Sequence, residues 1–117
     1  MSQQTEFIPY EQALELKELG FDGSYFGYYD IIDEYTHKFY ICYKKNDNVF
    51  SYELGAPLYQ QAFRWFREKH NIVFYLNMVG VNLYYYVIGT EPFLSFKTYE
   101  EVELACLRKL IEIVKNK

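Results

Sequence analysis

Tyrosine sets the first constraint on how this chain can fold. Fourteen tyrosines stand among 117 residues, with ten phenylalanines and one tryptophan, so 21% of the chain is aromatic. Many of the tyrosines fall in short runs: Tyr28-Tyr29, Tyr84-Tyr85-Tyr86, and Tyr40, Tyr43, Tyr52 and Tyr75 inside apolar segments. Such segments have the composition of β-strands. Successive side chains of a strand leave opposite faces, so adjacent tyrosines cannot share one side of a sheet. A fold built from these segments must carry rings on both faces. Tyrosine suits that demand, because its ring is apolar and its hydroxyl can meet water.

The rest of the composition narrows the class. Half of the residues are hydrophobic, which excludes a compositionally disordered chain. A length of 117 residues suits one domain with a real core, and one α+β domain over residues 1–117 is expected, with 1–7 loosely held. The net charge is −4, and the twelve Lys and Arg are scattered rather than clustered. Phosphate backbones need clustered cations, so no nucleic-acid partner is expected, and an anionic membrane surface is equally disfavoured. The start, MSQQTEFIPYEQ, has neither a basic nor an apolar signal segment, and no apolar run approaches a membrane span. The cytoplasm is the expected location. Cys42 and Cys106 are too few for a disulfide scaffold and read as reduced, buried small hydrophobes.

Three helices and five strands can be placed. A first helix starts at Pro9 and stops at Gly20, where Leu19-Gly20-Phe21 has the pattern of a Schellman ending with Phe21 folding back on Leu16. Three strand-like runs follow at 25–32, 37–44 and 49–54, separated by turn residues, which suggests a meander of hairpins. Pro57 opens a second helix ending at His70-Asn71, in which Leu58, Ala62, Trp65 and Phe66 form an amphipathic core face. Runs at 72–78 and 83–88 make a hairpin around a Gly80-containing loop, and 93–96 is a short edge strand or an extended loop. Thr98-Tyr99-Glu100-Glu101 matches a capping box that starts the last helix. In that helix Leu104, Leu107, Ile111 and Val114 form a stripe that Cys106, Leu110 and Ile113 widen. The order αβββαββα implies an α+β fold: a mainly antiparallel sheet of about five strands with three helices packed on one face.

No cofactor or hydrolase signature is present: no G-x-G-x-x-G, Walker loop, C-x-x-C, H-E-x-x-H or G-x-S-x-G occurs. No cofactor is therefore expected. His37, His70, Cys42 and Cys106 lack the close-pair spacing of a structural zinc site, so no metal is expected either. Asp30, Asp33 and Glu34 lie beside His37, which reads first as a solvated hairpin tip and second as a carboxylate–histidine site.

The aromatic set is the more specific signal. Helices covering one sheet face would leave Tyr40, with Tyr75 and Tyr85 as neighbours, on the other. Cross-strand aromatic pairing accounts for such rings structurally. An exposed aromatic platform accounts for them as a binding surface. Arg64, Trp65 and Arg67 on the second helix add a second possibility, in which aromatic rings stack a nucleotide-like ligand and the arginines clamp its phosphate.

Three segments, FIPYEQALELKELGFD (7–22), APLYQQAFRWFREKHNI (56–72) and TYEEVELACLRKLIEIVKNK (98–117), resemble a group of short uncharacterised proteins of bacteriophage and prophage-like elements of gut bacteria. The resemblance covers most of the helical part and little of the sheet; residues 23–54 depart from it most. It implies a bacterial cytosolic setting and an accessory phage role, and it brings no catalytic residue. The expectation is a non-enzymatic binding module acting through a Tyr-rich sheet face, partnered by a second copy or a host protein. The alternatives are a small-molecule binder using Tyr40, Tyr75, Tyr85, Arg64, Trp65 and Arg67, and a small enzyme using Asp30, Asp33 and His37.

Overall fold

The computed structural model describes residues 6–23, 25–31, 37–44 and 53–117, with the backbone alone for 37, 42–44 and 53. Its elements run α1 (Tyr10–Glu18), β1 (Tyr25–Ile31), β2 (His37–Lys44), β3 (Glu53–Ala56), α2 (Tyr59–His70), β4 (Phe74–Gly80), β5 (Leu83–Ile88), β6 (Glu91–Phe96) and α3 (Tyr99–Lys115). The class is α+β. The strands form two three-stranded antiparallel sheets, in the orders β2-β1-β3 and β4-β5-β6. That corrects the expected single sheet of five strands. The strands on either side of α2 satisfy their backbones locally, each trio around its own central strand, β1 or β5.

Two further details depart from expectation. The first trio is not a meander, because β3 pairs with β1 rather than with its chain neighbour β2. Residues 49–52 of the expected third strand lie outside the described residues. The sixth strand takes up 91–96 and makes the order αβββαβββα. Pro92 argues against a strand, but it is tolerated at an edge. Val87 pairs across to both Tyr75 and Pro92, and the bond from the Gly89 N–H to the Val73 carbonyl (2.7 Å) makes the Tyr75–Val87 pair hydrogen-bonded by alternation. The Val87–Pro92 pair is then non-hydrogen-bonded, so the nitrogen that lacks a proton points away from the ladder.

The chain divides into two compact units, Met1–Ala62 and Phe63–Lys117. In the first, α1 ends as its sequence suggests. Gly20 takes φ +93°, the Phe21 N–H donates to the Leu16 carbonyl (3.0 Å) and the Gly20 N–H to Lys17 (3.1 Å), the two bonds of a Schellman cap. Gln12, Ala13 and Leu16 are buried, whereas Leu14 is exposed. Ahead of the helix, Phe7 is buried and bridges Leu58, and the Ile8 N–H donates to the Pro57 carbonyl (2.9 Å).

The core of this unit rests on small residues under rings. Tyr29 is buried, touches Tyr10 and Phe39 at centroid distances of 5.4 and 5.1 Å, and donates its hydroxyl to the Ile8 carbonyl (2.9 Å). A Cβ on Gly27 would lie 2.7 Å from the Phe39 ring and 2.9 Å from the Phe7 ring, so only glycine leaves room there. The Tyr25 ring fills the corresponding space over Gly55.

In the second unit, α3 begins on Thr98, whose hydroxyl accepts the Glu101 N–H (3.1 Å). The Glu101 carboxylate reaches back to the Lys97 N–H (3.2 Å), one residue earlier than in the standard capping box. Val102, Cys106, Leu107, Leu110 and Ile111 are buried, while Leu104, Ile113 and Val114 are half-buried. The stripe is therefore core, rotated slightly from the one marked in the sequence. In α2, Ala62, Phe63, Trp65 and Phe66 are buried, and the helix ends at Asn71 in the left-handed conformation (φ 54°). No described helix is long and apolar enough to cross a membrane.

Candidate functional site

Register decides which side chains of the second sheet share a face. Across β4, β5 and β6 the rows are Phe74–Ile88–Glu91, Leu76–Tyr86–Phe93 and Met78–Tyr84–Phe96 on one side. Tyr75–Val87–Pro92 and Asn77–Tyr85–Leu94 lie on the other. The first side is the covered one. Tyr86 is buried and stacks on Phe93 (4.6 Å, 10°) with Phe96 beside it (5.8 Å). Phe74 is buried against Phe63 (5.4 Å), and the Arg67 guanidinium lies 4.5 Å above its ring. Two α3 residues close over this side: Tyr99 meets Tyr84 at 6.0 Å, and the Lys109 ammonium lies 5.9 Å from the Phe93 centroid.

The other side is open on its two outer strands, while on the central strand Val87 is buried and Tyr85 half-buried. Leu94 is 61% exposed and Tyr75 49%, and the Tyr75 and Tyr85 rings meet edge to face at 6.2 Å. The flanks continue in the same character: Val73 is 74% exposed, and Val81 at the hairpin tip 91%. Val79 and Leu83 are exposed too, as is Met78 at the tip end of the covered side. This concentration is unusual, since large apolar side chains exposed together mark a contact surface more often than bare surface does. The open-side rows hold no Asp, Glu, Lys, Arg, His or Cys.

Tyr75 and Tyr85 therefore share one open face, as the strand alternation suggested. Tyr40 does not join them, because it sits on β2 in the other sheet. There it stacks on Tyr28, its direct cross-strand partner (5.3 Å, 22°), and is 41% exposed. The α2 residues are each engaged within the chain. The Arg64 Nε donates to Glu68 (2.8 Å) on the helix surface, Arg67 covers Phe74, and the buried Trp65 ring packs edge-on against Phe66 (5.1 Å) and His70 (4.7 Å).

Most groups of the catalytic alternative lie outside the described residues. Asp33 and Glu34 lie outside the described residues, as does the His37 side chain; Asp30 pairs in register with Lys38 and Glu53. Of the four residues weighed as zinc ligands, the Cys42 and His37 side chains lie outside the described residues, and no group of three metal-ligating side chains occurs among the described residues. Cys106 is a buried free thiol. Burial pushes its pKa up to about 12, with Glu103 adding to the shift and Arg67 opposing it, so the nucleophilic thiolate is suppressed.

Sequence reasoning missed one signal. Residues 71–90 contain no Asp, Glu, Lys or Arg, although 24% of the chain is charged. That stretch is the β4–β5 hairpin with its flanks. A surface hairpin without charge has no means of repelling apolar contact. Comparison with family models, with curated proteins and with solved structures gives no match to this chain.

Proposed function

We propose that this protein is a non-enzymatic interaction module whose working surface is the open side of the β4-β5-β6 sheet. One observation carries the proposal: exposed Tyr75 and Leu94 flank half-buried Tyr85 on an uncharged sheet face that runs into the bare apolar tip at Val79 and Val81. Burying such a face contributes roughly 25 cal/mol for each Å² of apolar area removed from water. Tyrosines add hydroxyls that can hydrogen-bond at the margin of a contact. Given the resemblance of its helical segments to phage proteins, the role we assign is accessory, in the cytoplasm of a bacterial host.

A photo-cross-linking residue at position 75 or 94, introduced singly in cells, tests the module. Cross-linked species should form at both positions and not from Arg108, an exposed position on α3. Equal yields at all three positions, or none, would overturn it.

The stacked Tyr28–Tyr40 pair favours a second reading, a small aromatic ligand held on the first sheet. Stacking on one aromatic contributes roughly 1–3 kcal/mol per base. Titration with a nucleotide should then quench tyrosine fluorescence in the wild type and not in Tyr40→Ala.

A further inference from the structure

We infer that a second copy of the same chain pairs antiparallel with the outer edge of β4, the strand that borders this surface, about a two-fold axis at Tyr75. The inference rests on the interaction-module reading and names its partner.

Edge strands template pairing unless something blunts them. Among the described residues, three of the four sheet edges are blunted. β6 carries Glu91, Pro92 and a bulge at Ser95, whose φ is 132°. β2 carries Lys38 and Lys44 in its sequence, and β3 is four residues long with Glu53 among them. β4 has seven residues, no proline and no charge. Its register shift lies between Met78 and Gly80, at the tip, and leaves the stretch around Tyr75 regular.

Backbone direction fixes what that edge can offer. The Val73 carbonyl accepts from the Gly89 N–H, so Val73 points its polar groups inward, and Tyr75 does the same by alternation. Phe74, Leu76 and Met78 then point theirs toward the free edge. Met78 is already occupied, because its N–H donates to the side chain of Asn77 (2.8 Å). Among the described residues, Phe74 and Leu76 are the groups that remain to be matched. Placing the axis at Tyr75 pairs Phe74 with Leu76 of the second copy and leaves the Met78 N–H undisturbed. An axis at Leu76 would set Phe74 against Met78 and require the Asn77 bond to break.

Charge selects the occupant. In a two-fold antiparallel pair each position near the axis meets itself or a close neighbour, so any charge there would face a like charge. The uncharged run from 71 to 90 removes that repulsion in a protein of net charge −4. At the axis Tyr75 meets Tyr75 of the second copy in a non-hydrogen-bonded pair, where side chains approach most closely. The product is one continuous antiparallel sheet across two copies.

Cysteine cross-linking in a Cys42→Ser background tests the register, since Cys106 is buried. Cβ atoms of a non-hydrogen-bonded pair lie roughly 4.5–5.5 Å apart, close to disulfide span. Under mild oxidation Tyr75→Cys should give a covalent dimer and Asn77→Cys, which would stand two residues from the axis, should give little. Equal cross-linking at the two positions overturns the placement. Sedimentation velocity on the unmodified protein should show concentration-dependent dimerisation. Tyr75→Lys and Tyr75→Glu should each raise the dimer dissociation constant by roughly tenfold or more, and mixing the two should restore dimers. If the wild type stays monomeric while photo-cross-linking at positions 75 and 94 traps a different protein, self-pairing is overturned and the module stands. If neither occurs, both fall.

Discussion

The two sheets have the same size and pairing sense, and both pack ring on ring, but among the described residues the first alone also seats rings on its glycines. In β2-β1-β3 the rings lie over glycines: Phe7 and Phe39 over Gly27, Tyr25 over Gly55. In β4-β5-β6 rings lie on rings: Tyr86 on Phe93 and Phe96, Phe74 against Phe63. Glycine brings an aromatic down onto the backbone itself, which suits a short sheet with few side chains to spare. In the second sheet α3 adds cover with Tyr99 and Lys109. One side of the second sheet is thereby saturated with aromatic contact while the other stays bare. The lesson is that aromatic content alone does not say where a surface is sticky; the distribution of glycine and of charge does.

The largest effect should come from removing the central ring of the second sheet. Tyr86→Ala deletes a buried ring stacked on Phe93 and should destabilise by about 3–5 kcal/mol in urea unfolding. Tyr85→Ala, one residue along on the open side, should fall well below that. If the two variants lose equal stability, the assignment of covered and open sides is wrong.

A smaller effect should separate the glycines. Gly55→Ala drives a methyl into the Tyr25 ring and should cost about 1–3 kcal/mol, the usual range for overpacking. Gly80→Ala in the second sheet meets nothing within 4 Å and has no positive φ, so it should change stability by less than about 0.5 kcal/mol. Equal losses at both sites would erase the distinction between glycine-based and ring-based packing.

Much of this was legible in local sequence, and the rest was not for a physical reason. The ending of α1 at Gly20 and the start of α3 at Thr98 are fixed by bonds between residues three to five apart, so their signatures are local. The burial of Ala62, Trp65 and Phe66 follows from helical periodicity in the same way. Sheet membership is a choice between distant strands, and nothing near β3 says that it will pair with β1 instead of β2. The shared open face of Tyr75 and Tyr85 follows from alternation within one hairpin. Grouping Tyr40 with them requires a single sheet, and β2 belongs to the other one. The uncharged run from 71 to 90 was in plain view. Its importance emerges only once β4 is known to be an edge.

The smallest effect is set by pH, and it should divide the two halves of the chain. His70 closes α2 with its ring against Trp65 (4.7 Å) and Phe66 (6.0 Å), and its Nε2 is buried with no hydrogen-bond partner. Burial lowers its pKa below the ordinary 6.5, and the ammonium groups of Lys117 and Lys69 push it the same way. The unfolded chain therefore binds the proton more readily than the folded one. Stability is intact above about pH 6.5 and declines as pH falls from there toward the lower folded value, then levels off. Amide exchange should accelerate across α2 and β4 between about pH 8 and pH 5.5, after correction for intrinsic rates, and His70→Gln should remove the change. At the alkaline end both units should respond. Tyr25 in the first and Tyr86 in the second are each raised from 10.0 to about 12, chiefly by burial. Their neutral forms favour the fold up to about pH 10, and that contribution is lost as pH rises toward 12. An acid response confined to the second unit, beside an alkaline response in both, would show that the two packing schemes differ in their titratable groups as well as in their rings. Acid-induced exchange of equal size in β1 that persists in His37→Gln would refute that division.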